Sequence, residues 1–194
     1  TPRIDARARD AFLQLQFTPG RETIFEGVKR VLPGETLIVA KGRIVERLRR
    51  AALPDGGPEA CDEADAERRL DAALEDSVAG HQRADVPYGM FLSGGIDSSV
   101  LLAMMARLND RPVQAFTAGF SGTKVADERA HARVLAAAVG AEHHEVEFGE
   151  DDFWALLPAV CAAMDDPAAD YAALPTFKLA AAARAAGRQV VLTG

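Results

Sequence analysis

The chain is 194 residues long, 48% of them hydrophobic and 26% charged, which suits one soluble domain, or one domain plus an attached segment, and excludes wholesale disorder. Its 22 Lys and Arg against 29 Asp and Glu give a formal charge of −7, so a bulk electrostatic grip on nucleic acid or on an anionic membrane is not expected. No apolar run reaches the roughly 18–20 residues that span a bilayer, no signal peptide is visible, and two distant cysteines, Cys61 and Cys161, suggest neither a disulfide framework nor a zinc site. A cytoplasmic setting fits this pattern.

In chain order, residues 5–17 space their apolar side chains at helical intervals, with Asp5 as N-cap and Pro19-Gly20 as the stop. Residues 35–48 read as a hairpin turning at Lys41-Gly42. Pro54-Asp55-Gly56-Gly57-Pro58 is the clearest linker, so residues 1–58 are expected to form a lead-in and 59–194 a second domain. Residues 64–82 predict a helix with Leu70, Leu74 and Val78 on its buried stripe. From there strands and helices alternate. The expected strands are Val86 to Leu92, Val113 to Phe120, His143 to Phe148 and Gln189 to Thr193. The expected helices are 98–108, 127–139, 151–164 and 174–186, with Gly140 and Gly187 as stops. This alternation predicts an α/β fold: a three-layer parallel sheet with helices on both faces, preceded by a helix and a β-hairpin. The opening Thr1-Pro2 and the closing Val190-Val191-Leu192-Thr193-Gly194, a strand reaching a glycine, read as the ends of a piece of a longer polypeptide.

The chemistry is expected at Leu92-Ser93-Gly94-Gly95-Ile96-Asp97-Ser98-Ser99, where a strand passes into a helix. Two glycines let the backbone wrap an anion closely, and the free N–H groups of the helix's first turn point at the same spot. Ser93, Ser98 and Ser99 add hydroxyls. Asp97 would repel a bare phosphate, and a Mg²⁺ shared between its carboxylate and phosphate oxygens removes that conflict. A partial helix-capping role for Asp97 stays open. There is no Gly-Lys-Ser/Thr, so this is not a Walker loop, and it is not G-x-G-x-x-G.

Ser93-Gly94-Gly95-Ile96-Asp97-Ser98-Ser99 resembles the pyrophosphate loop of the ATP pyrophosphatases, which adenylate a substrate and release pyrophosphate. Flanking segments narrow the resemblance to glutamine-dependent asparagine synthetases. They include Thr23 to Val28, Val31 to Leu37, Phe116-Thr117-Ala118-Gly119-Phe120, Gly140 to Val146, and Met164-Asp165-Asp166-Pro167. The resemblance implies an adenine nucleotide alpha hydrolase-like fold and ATP and Mg²⁺ as cofactors. It places the backbones of Leu92 and Ala118 on the adenine and ribose side, with Thr193 and Gly194 approaching the same nucleotide. Ser93, Gly94, Gly95, Asp97, Ser98 and Ser99 would cradle pyrophosphate, with Asp97 as metal carboxylate and Asp97 and Ser93 as catalytic residues. The implied reaction adenylates aspartate and then displaces AMP with ammonia from glutamine. The implied partners are small-molecule substrates and an N-terminal glutaminase domain of the same parent chain, with a homodimer left open. A second metal-binding acidic loop (G-E-G-x-D-E) would follow Gly194 in the family, as would a substrate-contacting lysine, so this stretch alone is expected to be inactive. The alternatives are a relative acting on another carboxylate (a β-lactam-forming synthetase or an amidotransferase modifying a sugar) and a nucleotide-binding module without turnover.

Other residues divide between functional and structural readings. His143 and His144, adjacent on a strand, face opposite ways and cannot chelate together, so they read as structural. His131, Asp127 and Glu128, at a helix start, either line the nucleotide cleft or serve the helix dipole. Asp165, Asp166 and Asp170 either flank the substrate pocket or form a solvated turn. Phe153, Trp154, Leu156 and Leu157 are expected in the core, and Cys161 as a small buried hydrophobe. Arg47, Arg49 and Arg50 read as a solvated edge.

Overall fold

The computed structural model describes residues 2–51, 53, 56–120, 122, 127–167 and 169–194. The chain forms two compact units, one of residues 1–60 with 161–170, the other of residues 61–160 with 171–194. The return of 161–170 to the first unit is not legible in the local sequence pattern.

In the first unit, α1 (Ala6–Leu15) starts where the Asp5 carboxylate accepts the Ala8 N–H at 2.8 Å, as an N-cap should. β1 (Glu35–Ala40) and β2 (Arg43–Arg49) pair antiparallel. Lys41 and Gly42 both take positive φ, 51° and 73°, the conformation of a two-residue hairpin turn whose twist matches the strands. Glu35 ties this unit together. Its carboxylate accepts two bonds from Arg21 (2.8 and 2.9 Å), one from the Leu32 N–H and one from Arg47. The Arg21 bonds first, then the Leu32 amide, hold it down at about 2. Asp166 is a second tie: it accepts from the Thr18 hydroxyl (2.9 Å) and the Ile24 N–H (3.3 Å) and pairs with Arg30. The solvated-turn reading therefore does not describe Asp166.

The second unit carries α2 (Glu63–His81), β3 (Tyr88–Phe91), α3 (Ile96–Leu108), β4 (Gln114–Gly119), α4 (Arg129–Ala138), β5 (Glu142–Glu147), α5 (Glu150–Ala163) up to Val160, α6 (Ala173–Ala185) and β6 (Val190–Thr193). Its four strands are parallel, in the order β5-β4-β3-β6. Period-two alternation divides the core. Met90, Leu92, Val113 and Ala115 face Val78 of α2, Leu102 and Met105 of α3, and Ala132 and Ala136 of α4. Phe91, Phe116, Val146 and Val191 face Leu179 and Ala183 of α6. These are the three layers expected. A third cluster, Phe148, Val160 and Leu174, joins α5 and α6 beyond the end of β5.

Three core expectations fail. Leu70 is exposed because α2 buries only Val78, near its C-terminal end. Trp154 is 61% exposed, edge-on to Phe153, while Phe153, Leu156, Leu157 and Val160 take the inward stripe of α5. Cys161 is exposed, so it is not the small buried hydrophobe that its apolar neighbours suggested.

Candidate functional site

Strands β3, β4 and β5 follow one another across the sheet through helices on one face, whereas β6 joins on the far side of β3 after α6, a helix of the opposite face. The carboxyl ends of β3 and β6 thus flank a topological switch point, where connections diverge and leave a crevice for ligands. Leu92 to Ser99 leave β3 there, and Thr193 and Gly194 end β6 there, with Thr193 paired to Phe91. Ala118 lies two residues beyond Phe116, the β4 partner of Phe91. The ten sequence-predicted residues therefore sit at the carboxyl ends of β3, β4 and β6.

The loop is held from below. Leu92 N–H still bonds the Phe116 carbonyl at 2.9 Å. The Leu92 carbonyl is taken by the buried Thr117 hydroxyl at 2.7 Å, and Thr117 Oγ1 lies 2.8 Å from His143 Nε2. A hydroxyl has one proton. With that proton on the Leu92 carbonyl, the bond to His143 requires His143 to donate through Nε2–H, which fixes its tautomer. Burial pushes the His143 pKa down, so the neutral ring is favoured. His144, on the opposite face, stacks on Phe116 at 4.8 Å. Both histidines are structural in these contacts. Thr117 drew no functional reading from the sequence, because its partners lie on the neighbouring strands.

Within the loop the hydroxyls serve one another. Ser98 Oγ donates to the loop's own carbonyls, Ser93 at 3.0 Å and Gly95 at 3.2 Å, and Ser99 Oγ donates to Gly95 at 2.6 Å. Ser93 Oγ, 2.9 Å from Ser98 Oγ, accepts the Gly95 N–H at 3.2 Å. Ser98 is buried, while Ser93, Gly95, Ile96 and Asp97 are exposed, so the turn is open to a ligand and not roofed by side chains. The first intrahelical bond of α3 runs from Ser99 N–H to Gly95 O, so the amides of Ile96, Asp97 and Ser98 precede the ladder at the positive end of the helix dipole. Gly194 packs so close that a Cβ there would stand 2.6 Å from Ser98 N and 2.7 Å from Ser98 Cα. Only glycine lets β6 end against α3 in this way.

The N-cap of α3 is Gly95 without any side-chain cap, so Asp97 is not the cap. Among the described residues its carboxylate has no hydrogen-bond or ion-pair partner, and no group of three potential ligand side chains is assembled for a metal. One exposed carboxylate beside helix amides fits Mg²⁺ shared with a phosphate, which the ion binds through one or two carboxylates, substrate oxygens and water. At the start of α4, Asp127 pairs with Arg129, whose side chain covers Gly119. Glu128 reaches the loop itself and accepts the Gly94 N–H at 3.0 Å, with His131 against the same glycine.

These features define a class: a parallel α/β domain with an exposed, glycine-containing strand-to-helix loop at its switch point. The chain belongs to the asparagine synthase family, whose profile matches residues 69–194. A Mycobacterium tuberculosis protein assigned to the glutamine-hydrolysing asparagine synthetases is 37% identical over 194 residues, covering 98% of this chain and 29% of its own length. Asparagine synthetase [glutamine-hydrolyzing] 1 of Bacillus subtilis is 31% identical over 182 residues, covering 93% of this chain and 28% of its own. Amidase chyE of Penicillium rubens is 32% identical over 188 residues, covering 89% and 28%. The chain thus spans under a third of the length of each of these three relatives. Among the described residues no helix is long and apolar enough to cross a membrane.

Proposed function

We propose that the polypeptide carrying this chain is an ATP-dependent, amide-forming ligase that takes its ammonia from glutamine, with the aspartate side chain as the carboxylate. The observation that carries this reading is the open loop 92–99 at the switch point of a chain from the asparagine synthase family. Residues 59–194 would be the N-terminal part of the synthetase domain and 1–58 its lead-in, inactive without the remainder. The setting would be cytoplasmic.

In this reaction a carboxylate oxygen bonds to the α-phosphorus of ATP as the bond to the bridging β-phosphate oxygen breaks. Ammonia then attacks the acyl carbon, and AMP leaves with the bonding pair. Charge grows on the departing pyrophosphate, and preorganised donors aimed at it lower the barrier. The amides of Gly94, Gly95 and the first turn of α3 would supply those donors, and the Ser93 hydroxyl would turn outward to add another. The Leu92 and Ala118 backbones would hold the adenine and ribose side, with Thr193 and Gly194 closing the other wall. Asp97 would hold Mg²⁺, which when bound neutralises phosphate charge.

A ligase acting on another carboxylic acid is the second reading, because the Penicillium rubens relative named an amidase is 32% identical against 31% for the Bacillus subtilis synthetase. The test is pyrophosphate release by the intact protein given ATP, Mg²⁺ and ammonia with L-aspartate or with other carboxylic acids. Release with aspartate supports the full reading. Release only with another acid retains the ligase and changes the substrate. Tight ATP binding without release under any acid refutes the ligase.

A further inference from the structure

The acceptor on the Gly94 amide is a carboxylate, although the loop's geometry favours a phosphate. Glu128 Oε2 lies 3.0 Å from Gly94 N. The contact is close-fitting as well as polar, because a Cβ on Gly94 would meet Glu128 Cβ and His131 Cδ2, each at 3.3 Å. The other glycine amide, that of Gly95, is used by Ser93 Oγ at 3.2 Å. Both glycine amides are therefore engaged by protein groups, one neutral and easily rotated, the other charged.

The geometry points to Glu128 as an internal competitor for the phosphate position, a residue that sets how tightly the loop holds pyrophosphate. This inference rests on the proposed reading of the loop as a pyrophosphate site. One N–H cannot serve a carboxylate and a phosphate oxygen at full strength together, and two anions sharing a nest repel. A ligand entering the nest must displace Glu128, and a departing ligand is replaced by it. The exchange weakens the hold on the product anion, whose release the catalytic cycle requires. Glu128 sits at the start of α4, 34 residues from Gly94, and its exposure lets the carboxylate move into water once displaced.

The experiment measures pyrophosphate affinity by titration calorimetry on the intact protein, with and without Mg²⁺. The forms compared are wild type, Glu128→Ala, Glu128→Gln and the charge control Asp85→Asn, on an exposed residue before β3. A hydrogen bond to a charged group is among the stronger ones, so freeing the Gly94 amide should tighten pyrophosphate binding about tenfold or more in Glu128→Ala. Glu128→Gln, which keeps an acceptor and loses the charge, should fall between, and Asp85→Asn should match wild type. The Gln variant also guards against loss of fold in the Ala variant. If wild type binds and the Glu128 variants bind equally or more weakly, the competitor role is overturned while the loop reading stands. If no form binds pyrophosphate, the loop reading fails and takes this inference with it.

Discussion

Replacing Thr117 with valine removes one hydroxyl at nearly constant volume, at a position only 2% exposed. Two buried groups lose their partner: the Leu92 carbonyl, bonded at 2.7 Å, and His143 Nε2–H, at 2.8 Å. Leaving a buried polar group unsatisfied costs about 1–3 kcal/mol, so the pair should cost about 2–6 kcal/mol. That is a large fraction of the roughly 5–15 kcal/mol by which domains are stable. For a chain of this size the melting temperature should drop by roughly 4–24 °C. Thermal and urea melts followed by circular dichroism measure it, with Thr117→Ser, which keeps the hydroxyl, as the control. A double-mutant cycle with His143→Ala should show coupling, because both substitutions remove the same bond. A valine variant within about 0.5 kcal/mol of wild type, the range of an ordinary surface substitution, would refute the chain from His143 through Thr117 to Leu92.

Asp97→Asn should reduce Mg²⁺-dependent pyrophosphate release far more than it weakens adenosine binding, and equal losses in the two assays would count against a metal role. Glu35 is held at about 2, against an ordinary value of 4.5, so its contribution to stability is present above 4.5 and is lost as pH falls toward 2. Acid titrations of Glu35→Gln should accordingly be flatter than wild type across that window, and parallel curves would remove Glu35 as the cause. Burial lowers the His143 pKa in the folded state, so its contribution is full above the unfolded value of about 6.5 and declines as pH drops below it. His143→Gln should lose that component of the pH dependence, which melts at stepped pH would reveal. Gly194→Ala puts a methyl group 2.6 Å from Ser98 N, so it should shift the amide resonances of Asp97 and Ser98 and weaken pyrophosphate binding. Unchanged spectra would mean that β6 and α3 do not approach as described.

The alternating strands and helices, and the turn at Lys41-Gly42, were readable from residue order because the forces behind them are local. Side-chain period, φ preference and missing ladder partners act over a few residues. The strand-to-helix turn at Ser93-Gly94-Gly95 belongs to the same kind. Contacts between distant segments were not readable. The side of β3 on which β6 would pair has no signature in Val190 to Thr193, yet it creates the switch point. Glu128 on Gly94, Thr117 under Leu92, and Asp166 with Thr18, 148 residues apart, each join segments whose approach depends on the whole packed arrangement. Leu70, Trp154 and Cys161 show the same division. An apolar residue at helical spacing shows where a helix would bury a face, and burial follows only where another element covers that residue, so folding of the whole chain decides it.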